Sequence, residues 1–234
     1  MIFAAGLGTR LGEVGEATPK ALLEVGGQTM LERTVRALIE AGVRRVVVNV
    51  HHRADRIAHF VATHPMGAEI VLSFEPQRPL ETGGGLLHAR ALFRGPGPIL
   101  LHNVDVITDA PLAELASTHE RSGALATLAV SSRETSRYLL FDDVGLFGRE
   151  DRRRDLRLES RAPRGEIRRL AFAGIHACSP RLLDLITEHG AFSIMDVYLR
   201  LAAGGHTIPP WTLPGQRWLE IGSVERLEAA RALF

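Results

Sequence analysis

The chain has 234 residues, of which 45% are hydrophobic, and its formal net charge of +1 is typical of a globular domain. The near-neutral charge argues against a general nucleic-acid-binding surface, and no apolar run reaches the about 18–20 residues of a membrane span. We see no secretion signal and therefore expect a cytoplasmic protein. The single cysteine, Cys178, excludes an internal disulfide and is expected to be an inert core residue.

Apolar periodicity predicts strands and helices that alternate along the first half of the chain. The strands are predicted at 1–5, 46–50, 70–74, 99–102 and 126–130, and the helices at 30–41, 54–63, 84–92 and 112–122. This alternation predicts an α/β fold with a Rossmann-like, doubly wound and mostly parallel sheet between two helical layers. Ligands bind beyond the carboxyl ends of such strands, so we expect residues 6–20, the residues after Phe74 and residues 103–105 to converge.

The second half of the chain has a less regular pattern. A hairpin is predicted over 137–147, and residues 148–169 are expected to form a loop or flap. Nine arginines and five acidic residues in 149–169 leave two interpretations open, a solvated loop or a cationic lid over phosphates. Further elements are predicted as a strand at 172–177, helices at 180–189 and 195–203, a strand at 218–221, and a final helix capped by Ser223.

A glycine-rich stretch follows the first predicted strand, with GLGTRL at 6–11 and TPK at 18–20. Glycines at such a position let backbone N–H groups approach phosphates, and Arg10 offers a bidentate fork for phosphate oxygens. Lys20 is the only lysine beside 27 arginines, which indicates a role for a compact ammonium group. Leu11 stands where a dinucleotide fingerprint has its third glycine, and no Walker A sequence is present.

Two further motifs predict contacts with a nucleotide and a metal ion. The run ETGGG at 81–85 is interpreted as a base pocket, because glycines at a helix start leave backbone donors open and admit a flat ring. Thr82 can hydrogen-bond a base or ribose edge, and Glu81 faces either the ribose or solvent. Asp105, just beyond a strand end, and Glu220 are candidate Mg²⁺ ligands, since Mg²⁺ uses few protein carboxylates beside phosphate oxygens and water.

These motifs resemble those of the sugar-phosphate nucleotidylyltransferases, and the resemblance spans essentially the whole chain. It also includes NVD at 103–105, FAGIH at 172–176, FSIMD at 192–196 and WLEIGS at 218–223. The ETGGG form looks closest to the N-acetylmuramate-1-phosphate uridylyltransferase branch. The chain as a whole looks closest to that branch and to the mannose-1-phosphate guanylyltransferase branch. Glu220 replaces the usual Asp of the closing motif, and the second lysine of the family's Glu-Lys-Pro segment is missing. A cation for the sugar phosphate must then be an arginine, with Arg137 as the candidate.

The resemblance implies a nucleotide-diphospho-sugar transferase fold in one domain, with a nucleotide-binding core at 1–135 and a sugar-phosphate-binding part with a closing helix at 136–234. It implies a Mg²⁺-dependent reaction of a nucleoside triphosphate, with UTP favoured, and a sugar 1-phosphate, by a monomer or homodimer without nucleic-acid or membrane partners. The residues so assigned are Arg10 and Lys20 for catalysis, Ala5, Gly6, Gly8, Thr9, Glu81, Thr82 and Gly83 for the nucleotide, Asn103, Arg137, Gly174 and Asp196 for the sugar phosphate, and Asp105 and Glu220 for the metal.

Two other functions stay open at this point. One is a nucleotidyltransferase with a non-sugar acceptor such as phosphocholine, which an aromatic cage would favour. The other is a non-catalytic module that senses a nucleotide sugar, which the loss of Arg10, Lys20 or Asp105 would favour. All three of those residues are present.

Overall fold

The computed structural model describes residues 1–75, 77–215 and 217–234. Its strands are β1 (Ile2–Phe3), β2 (Glu24–Val25), β3 (Gln28–Thr29), β4 (Arg45–Val50), β5 (Glu69–Phe74), β6 (Ile99–Asn103), β7 (Val106–Thr108), β8 (Ala126–Ser131), β9 (Arg137–Phe141), β10 (Leu146–Asp151), β11 (Leu156–Glu159), β12 (Arg168–Cys178), β13 (Pro210–Thr212) and β14 (Trp218–Glu220). Its helices are α1 (Gly12–Ala17), α2 (Met30–Glu40), α3 (Ala54–Thr63), α4 (Glu81–His88), α5 (Leu112–Ser122), α6 (Leu182–Leu185), α7 (Ile194–Ala203) and α8 (Val224–Arg231). Short 3-10 helices cover Thr9–Leu11, Lys20–Leu22 and Arg90–Leu92.

The central sheet has the strand order β13-β8-β12-β6-β1-β4-β5. Strand β12 runs antiparallel to both of its neighbours, β6 and β8, and the remaining neighbours pair in parallel. The prediction of a mostly parallel sheet is therefore confirmed, with one antiparallel strand inserted.

Both faces of this sheet are buried, as the alternation of side chains along β4 shows. Val46, Val48 and Val50 pack into one core cluster, to which α2, α3, α5 and α8 contribute. Val47 points to the other face and joins a second cluster with residues of α4, α6 and α7. Because successive strand residues face opposite sides, the sheet lies between two helical layers, as predicted.

The order of strands reverses at β1. From β1 the chain proceeds to β4 and β5 on one side and then returns to β6 on the other side. The segments that follow β1, β5 and β6 consequently meet at one edge, although Pro76, within the segment after β5, lies outside the described residues. Such a reversal opens a crevice at the carboxyl ends of the strands.

Residues 137–170, which we call the antiparallel extension, correct one prediction. The hairpin of β9 and β10 is confirmed, but residues 148–169 are not a continuous loop or flap, because β10 continues to Asp151 and then pairs with β11. Only the turn at 152–155 and the segment at 160–167 lack strands. The amino-terminal part of β12 pairs with β9 and joins this second sheet to the central one. Glu150 lies opposite Arg157 of β11 at 3.9 Å and also contacts Arg152 and Arg169, so charges of this segment are paired across the strands.

Other predicted boundaries also change. The helix predicted over 180–189 shortens to α6, and the helix predicted over 84–92 begins earlier, at Glu81. The Ser223 cap is confirmed, since its hydroxyl oxygen accepts a hydrogen bond from the Arg226 N–H. Cys178 is fully buried, and its burial raises the pKa of the thiol to about 12, as suits an inert core residue. Among the described helices, none combines the length and the apolar character that crossing a bilayer requires.

Candidate active site

The glycine loop, residues 6–20, follows β1 at the strand-order reversal. Gly8 adopts the left-handed region with φ 69°, and Gly15 packs so closely against it that a Cβ on Gly15 would overlap the Gly8 carbonyl oxygen. Leu11 is fully buried, whereas Gly6 is exposed and has open space where a Cβ would lie. The loop is thus anchored at its centre and leaves the Gly6 backbone accessible to a ligand.

A cavity of about 410 Å³, which we call the switch-point cavity, opens beside this loop. Its volume lies in the range typical of small-molecule sites. It is lined by Phe3, Ala4, Ala5, Gly6, Lys20, Asn49, Pro79, Glu81, Thr82, Asn103, Val104, Asp105 and Ser193. The structure therefore brings together seven residues that the sequence singled out, namely Ala5, Gly6, Lys20, Glu81, Thr82, Asn103 and Asp105.

Lys20 and Asp105 form the central ion pair of this cavity. The Lys20 Nζ donates to Asp105 Oδ2 at 2.8 Å, and the two side chains are only 13% and 17% exposed. Lys20 comes from the 3-10 helix after Pro19, and Asp105 follows the end of β6. The flexible lysine stem lets the ammonium group move from this carboxylate to a nearby anion.

A second cavity, of about 370 Å³, which we call the outer cavity, shares Asn103 and Asp105 with the first. It contains four more of the predicted residues, Arg10, Arg137, Gly174 and Glu220. Its full lining is Arg10, Asn103, Asp105, Val106, Arg133, Thr135, Ser136, Arg137, Arg153, Phe172, Ala173, Gly174, Trp218, Glu220 and Arg226. Two ligands, one bound in each cavity, would therefore lie next to each other at Asp105.

The WLEIGS motif at 218–223 places Glu220 close to Asp105. Strand β14 pairs with β7, and the Ile221 N–H donates to the Asp105 carbonyl oxygen at 2.9 Å. The Glu220 carboxylate contacts Arg10 Nη2 at 3.5 Å and Arg226 Nη1 at 2.6 Å. The glutamate therefore links the signature arginine of the glycine loop to α8.

The two carboxylates suit a hard divalent cation. Both supply oxygen donors, and within the described ranges no cluster of three or more His, Cys, Asp or Glu side chains offers a competing site. In the free protein, Lys20 neutralises Asp105, while Arg10 and Arg226 neutralise Glu220. A metal ion therefore fits together with substrate phosphates, which can attract these cations away from the carboxylates.

The interpretation of the three glycines at 83–85 as an open base pocket is wrong. The Gly83 and Gly84 N–H groups both donate to the Phe192 carbonyl oxygen, at 2.9 and 3.2 Å, so these donors are occupied. A Cβ on Gly83 would overlap the Phe192 ring, and one on Gly84 would overlap the Gly190 carbonyl oxygen. The glycines allow α4 to pack against the segment before α7, and only Glu81 and Thr82 of this motif line the cavity.

Asp196, Gly8 and Thr9 are also placed differently from what the sequence suggested. Asp196 is bound by Arg149 Nη1 at 2.8 Å in an exposed ion pair. None of these three residues is among the described residues that line either cavity. Gly8 shapes the glycine loop, and Asp196 joins α7 to the antiparallel extension.

A buried polar network that was not predicted from the sequence supports the switch-point cavity. Asn49 accepts from the Ala4 N–H at 2.8 Å and donates to Glu75 Oε1 at 2.7 Å, and Glu75 Oε2 accepts from the Leu80 N–H at 2.7 Å. The network ties the ends of β1, β4 and β5 to the start of α4. The sequence feature that could have indicated this network is Asn49, a polar residue within a run of valines that the structure buries.

Comparisons with known proteins indicate the family of this chain. A family model described as the MobA-like NTP transferase domain matches residues 1–197. The chain is 35% identical to the N-acetylmuramate alpha-1-phosphate uridylyltransferase of Caulobacter vibrioides, over 99% of this chain and 95% of the relative. It is 29% identical to the mannose-1-phosphate guanyltransferase of Yarrowia lipolytica, over 100% of this chain but 63% of that relative.

A solved structure supports the fold. A UTP-bound UGPase from Acinetobacter baumannii superposes with a TM-score of 0.77 at 16% identity, over 99% of this chain and 91% of that one. Likeness at this identity shows the nucleotide-diphospho-sugar transferase fold that the sequence motifs implied. The family model and the 35% identical relative, which the chain covers almost completely, show more than the fold. The chain belongs to the MobA-like NTP transferase family.

Proposed function

We propose that the protein joins a nucleoside triphosphate to a sugar 1-phosphate and releases pyrophosphate, with UTP as the preferred nucleotide and Mg²⁺ as the metal. The observation that carries this proposal is the Lys20–Asp105 ion pair at the boundary of two cavities, each large enough for one substrate. The names of the relatives in Caulobacter and Yarrowia support the sugar-phosphate acceptor. The uridylyltransferase, which the chain covers at 95% of its length, supports the choice of UTP.

The switch-point cavity is the place for the nucleotide in this proposal. Its position at the strand-order reversal is where open α/β sheets bind nucleotides, and the accessible Gly6 backbone lets phosphates come close. Thr82 Oγ1 accepts from the Ile194 N–H at 3.0 Å, so its own proton is available to a base or ribose oxygen. Glu81, held at φ 59°, is exposed at the same rim.

The outer cavity then receives the sugar 1-phosphate. One of its phosphate oxygens attacks the α-phosphorus of the nucleotide, the α–β bridging bond breaks, and the electron pair leaves with pyrophosphate. Phosphate oxygens are already ionised near neutral pH, so the protein's task is positioning and charge neutralisation rather than proton abstraction. This agrees with a site whose groups are cations and carboxylates.

Lys20 and Arg10 supply the positive charge in this scheme. Lys20 exchanges Asp105 for the α-phosphate and the incoming phosphate, and Arg10 exchanges Glu220 for the β- and γ-phosphates. Mg²⁺, held by Asp105 and Glu220, would neutralise further phosphate charge when bound. We also propose that residues 1–135 form chiefly the nucleotide side and residues 136–234 chiefly the acceptor side.

The test is pyrophosphate release by the purified chain with Mg²⁺, each common nucleoside triphosphate and a panel of sugar 1-phosphates. Release should require both substrates, and Lys20→Ala should lower kcat about 10²–10³-fold, as loss of a group that stabilises transition-state charge does. Arg231→Ala is the matched control, because this exposed arginine contacts only the Glu24 carbonyl oxygen among its described polar partners.

Other outcomes identify the competing functions. Release with phosphocholine but with no sugar 1-phosphate would replace the proposed acceptor. Nucleotide binding without release for any pair would indicate a sensing module. Equal activity in Lys20→Ala and the wild type would remove Lys20 from the mechanism.

A further inference from the structure

Arg133 lies in the outer cavity and was not singled out by the sequence. Its guanidinium group stacks on the Trp218 ring, with Cζ 3.9 Å from the ring centroid, and its Nη2 donates to the Phe172 carbonyl oxygen at 3.0 Å. Its Nε is buried and has no hydrogen-bond partner among the described residues. The plane of the guanidinium is therefore fixed while part of its donor capacity is unused.

The position of the Trp218 ring is itself well defined. The indole Nε1 donates to the Ala173 carbonyl oxygen at 2.8 Å, and β14 holds the residue opposite Thr108. A guanidinium resting on such a platform loses little further freedom when it binds an anion. Arg133 is therefore preorganised rather than adaptable.

The charge of Arg133 is not matched by a carboxylate at contact distance. Within the described residues it makes no ion pair, in contrast to Arg10 and Arg226, which both contact Glu220. Partial burial lowers the pKa of Arg133, and the negative charge of Glu220 opposes that effect only from a distance. A partly desolvated cation without a counter-ion is costly unless a ligand supplies the negative charge.

The location of Arg133 indicates which ligand that is. Arg133 and Asp105 line the same cavity, whereas Lys20 contacts Asp105 from the switch-point side. An anion between Arg133 and Asp105 would thus enter from the outer cavity and reach the boundary opposite Lys20. A planar guanidinium binds two phosphate oxygens at once and leaves a third free to react.

We propose that Arg133 binds the phosphate of the acceptor sugar 1-phosphate. In this chain, whose only lysine is Lys20, the arginine takes the place of a second lysine at the acceptor site. This inference rests on the proposed function. It replaces Arg137, which the sequence suggested for the role: Arg137 is 78% exposed and lies 3.6 Å from the Asp151 carboxylate. The stacked, unmatched arginine, rather than the exposed one, selects and orients the acceptor.

The first test measures binding without catalysis. The chain has two tryptophans, so Trp211→Phe leaves Trp218, the ring under Arg133, as the only indole reporter. Titration with glucose 1-phosphate and mannose 1-phosphate should give a saturable fluorescence change that inorganic phosphate competes with and that glucose alone does not produce. In this background Arg133→Gln should weaken binding about tenfold or more, and Arg133→Lys should recover part of it.

Controls separate this role from a structural one. Arg154→Gln removes an exposed arginine of the antiparallel extension that is not among the described residues lining the outer cavity, and binding should stay within about twofold of the parent. Calorimetric titration of the chain with both tryptophans repeats the measurement without the Trp211 substitution. Circular dichroism establishes that each variant is folded. Unchanged affinity in folded Arg133→Gln, or no sugar-phosphate binding by the wild type, overturns the inference.

The second test separates this inference from the proposed function. With an active substrate pair, Arg133→Gln should raise KM for the sugar 1-phosphate about tenfold or more and leave KM for the nucleotide within about twofold. An unchanged acceptor KM, or an equal rise for both substrates, would overturn the Arg133 assignment while the reaction stands. Binding that depends on Arg133 in a protein that releases no pyrophosphate would support the Arg133 assignment and overturn the proposed reaction.

Discussion

The outer cavity and the antiparallel extension are both rich in arginine, but their charges are arranged differently. In the extension, Asp142 is fully buried, Arg161 binds both of its oxygens at 2.6 and 2.8 Å, and Glu150 contacts several arginines. In the outer cavity Arg133 has no carboxylate partner among the described residues, and Glu220 is shared between two arginines. The number of charges therefore does not distinguish the two regions, whereas the pairing of those charges does, and our proposal of a ligand site rests on the unmatched Arg133.

This difference assigns separate tasks to the two regions. Matched ion pairs stabilise strands that the sequence composition alone would leave as a loop. Unmatched or exchangeable cations at the sheet edge reduce stability but are available to phosphates. The predictions below test whether substitutions in each region change activity or stability accordingly.

The largest effect is expected for Asp105→Asn, which removes the charge at the boundary of the two cavities. Because Asp105 contacts Lys20 and is the proposed metal ligand, kcat for pyrophosphate release should fall about 10²–10³-fold. The control is Asp184→Asn, since Asp184 is 64% exposed and pairs with Arg90. If Asp105→Asn keeps more than about half of the wild-type rate, the proposed site is wrong.

Asp142→Asn should instead change stability. Removing the partner of Arg161 in a buried pair should lower the free energy of unfolding by about 3 kcal/mol, measured by denaturant titration, with kcat of the folded protein retained. Arg161 holds the pKa of Asp142 well below its usual range. The carboxylate therefore stabilises the fold above pH about 4, and this contribution is lost as the pH falls further.

The exposed pair of Glu159 and Arg157 provides the comparison for Asp142. Glu159→Gln should change the free energy of unfolding by less than about 1 kcal/mol, because the Glu159 side chain is 37% exposed. Equal losses in the two variants would show that burial does not distinguish these ion pairs.

Two glycine substitutions distinguish packing from ligand approach. Gly84→Ala places a Cβ against the Gly190 carbonyl oxygen and should cost about 1–3 kcal/mol of stability. Gly6→Ala meets nothing within 4 Å, so its stability should stay within about 0.5 kcal/mol of the wild type while KM for the nucleotide rises. A thermal scan and a KM measurement on both variants check the pair, and unchanged KM in Gly6→Ala contradicts the close approach of phosphates there.

His176 lies on β12, the strand that joins the two regions, and its burial should make the free energy of unfolding depend on pH. Burial lowers its pKa to about 3, and neither ring nitrogen has a partner among the described residues. Because the unfolded chain takes up a proton near pH 6.5 and the folded chain does not, stability should fall as the pH drops below 6.5. Between pH 6.5 and 5 the wild type should lose about 1–2 kcal/mol more than His176→Phe. Parallel curves for the two proteins would contradict this.

The smallest effect is expected for Asp196→Asn. Its exposed ion pair with Arg149 should contribute less than about 1 kcal/mol, and KM for the sugar 1-phosphate should be unchanged because Asp196 is not among the described residues lining either cavity. An increase in that KM would return Asp196 to the acceptor site, where the sequence motif suggested it.

The sequence by itself determined the α/β architecture and the convergence of several residues at the switch-point cavity. Apolar periodicity is a local property, so α3 and α5 were predicted at their observed bounds and β4 within one residue. Ligands bind beyond strand ends in such sheets, and this rule correctly predicted that Gly6, Lys20 and Asp105 lie close together. The prediction was possible because these residues follow strands or belong to the loop after β1.

Only the tertiary structure decided how charges and glycines are used. Arg161 meets Asp142, Gly83 meets Phe192, and Arg133 meets Trp218 across long stretches of chain. A sequence pattern records which groups are present but not which of them have their hydrogen bonds and charges satisfied by distant partners. Whether a polar or charged group has a partner depends on its neighbours in three dimensions. For that reason only the structure revealed the occupied N–H groups of Gly83 and Gly84, the strands in the arginine-rich segment and the unmatched charge of Arg133.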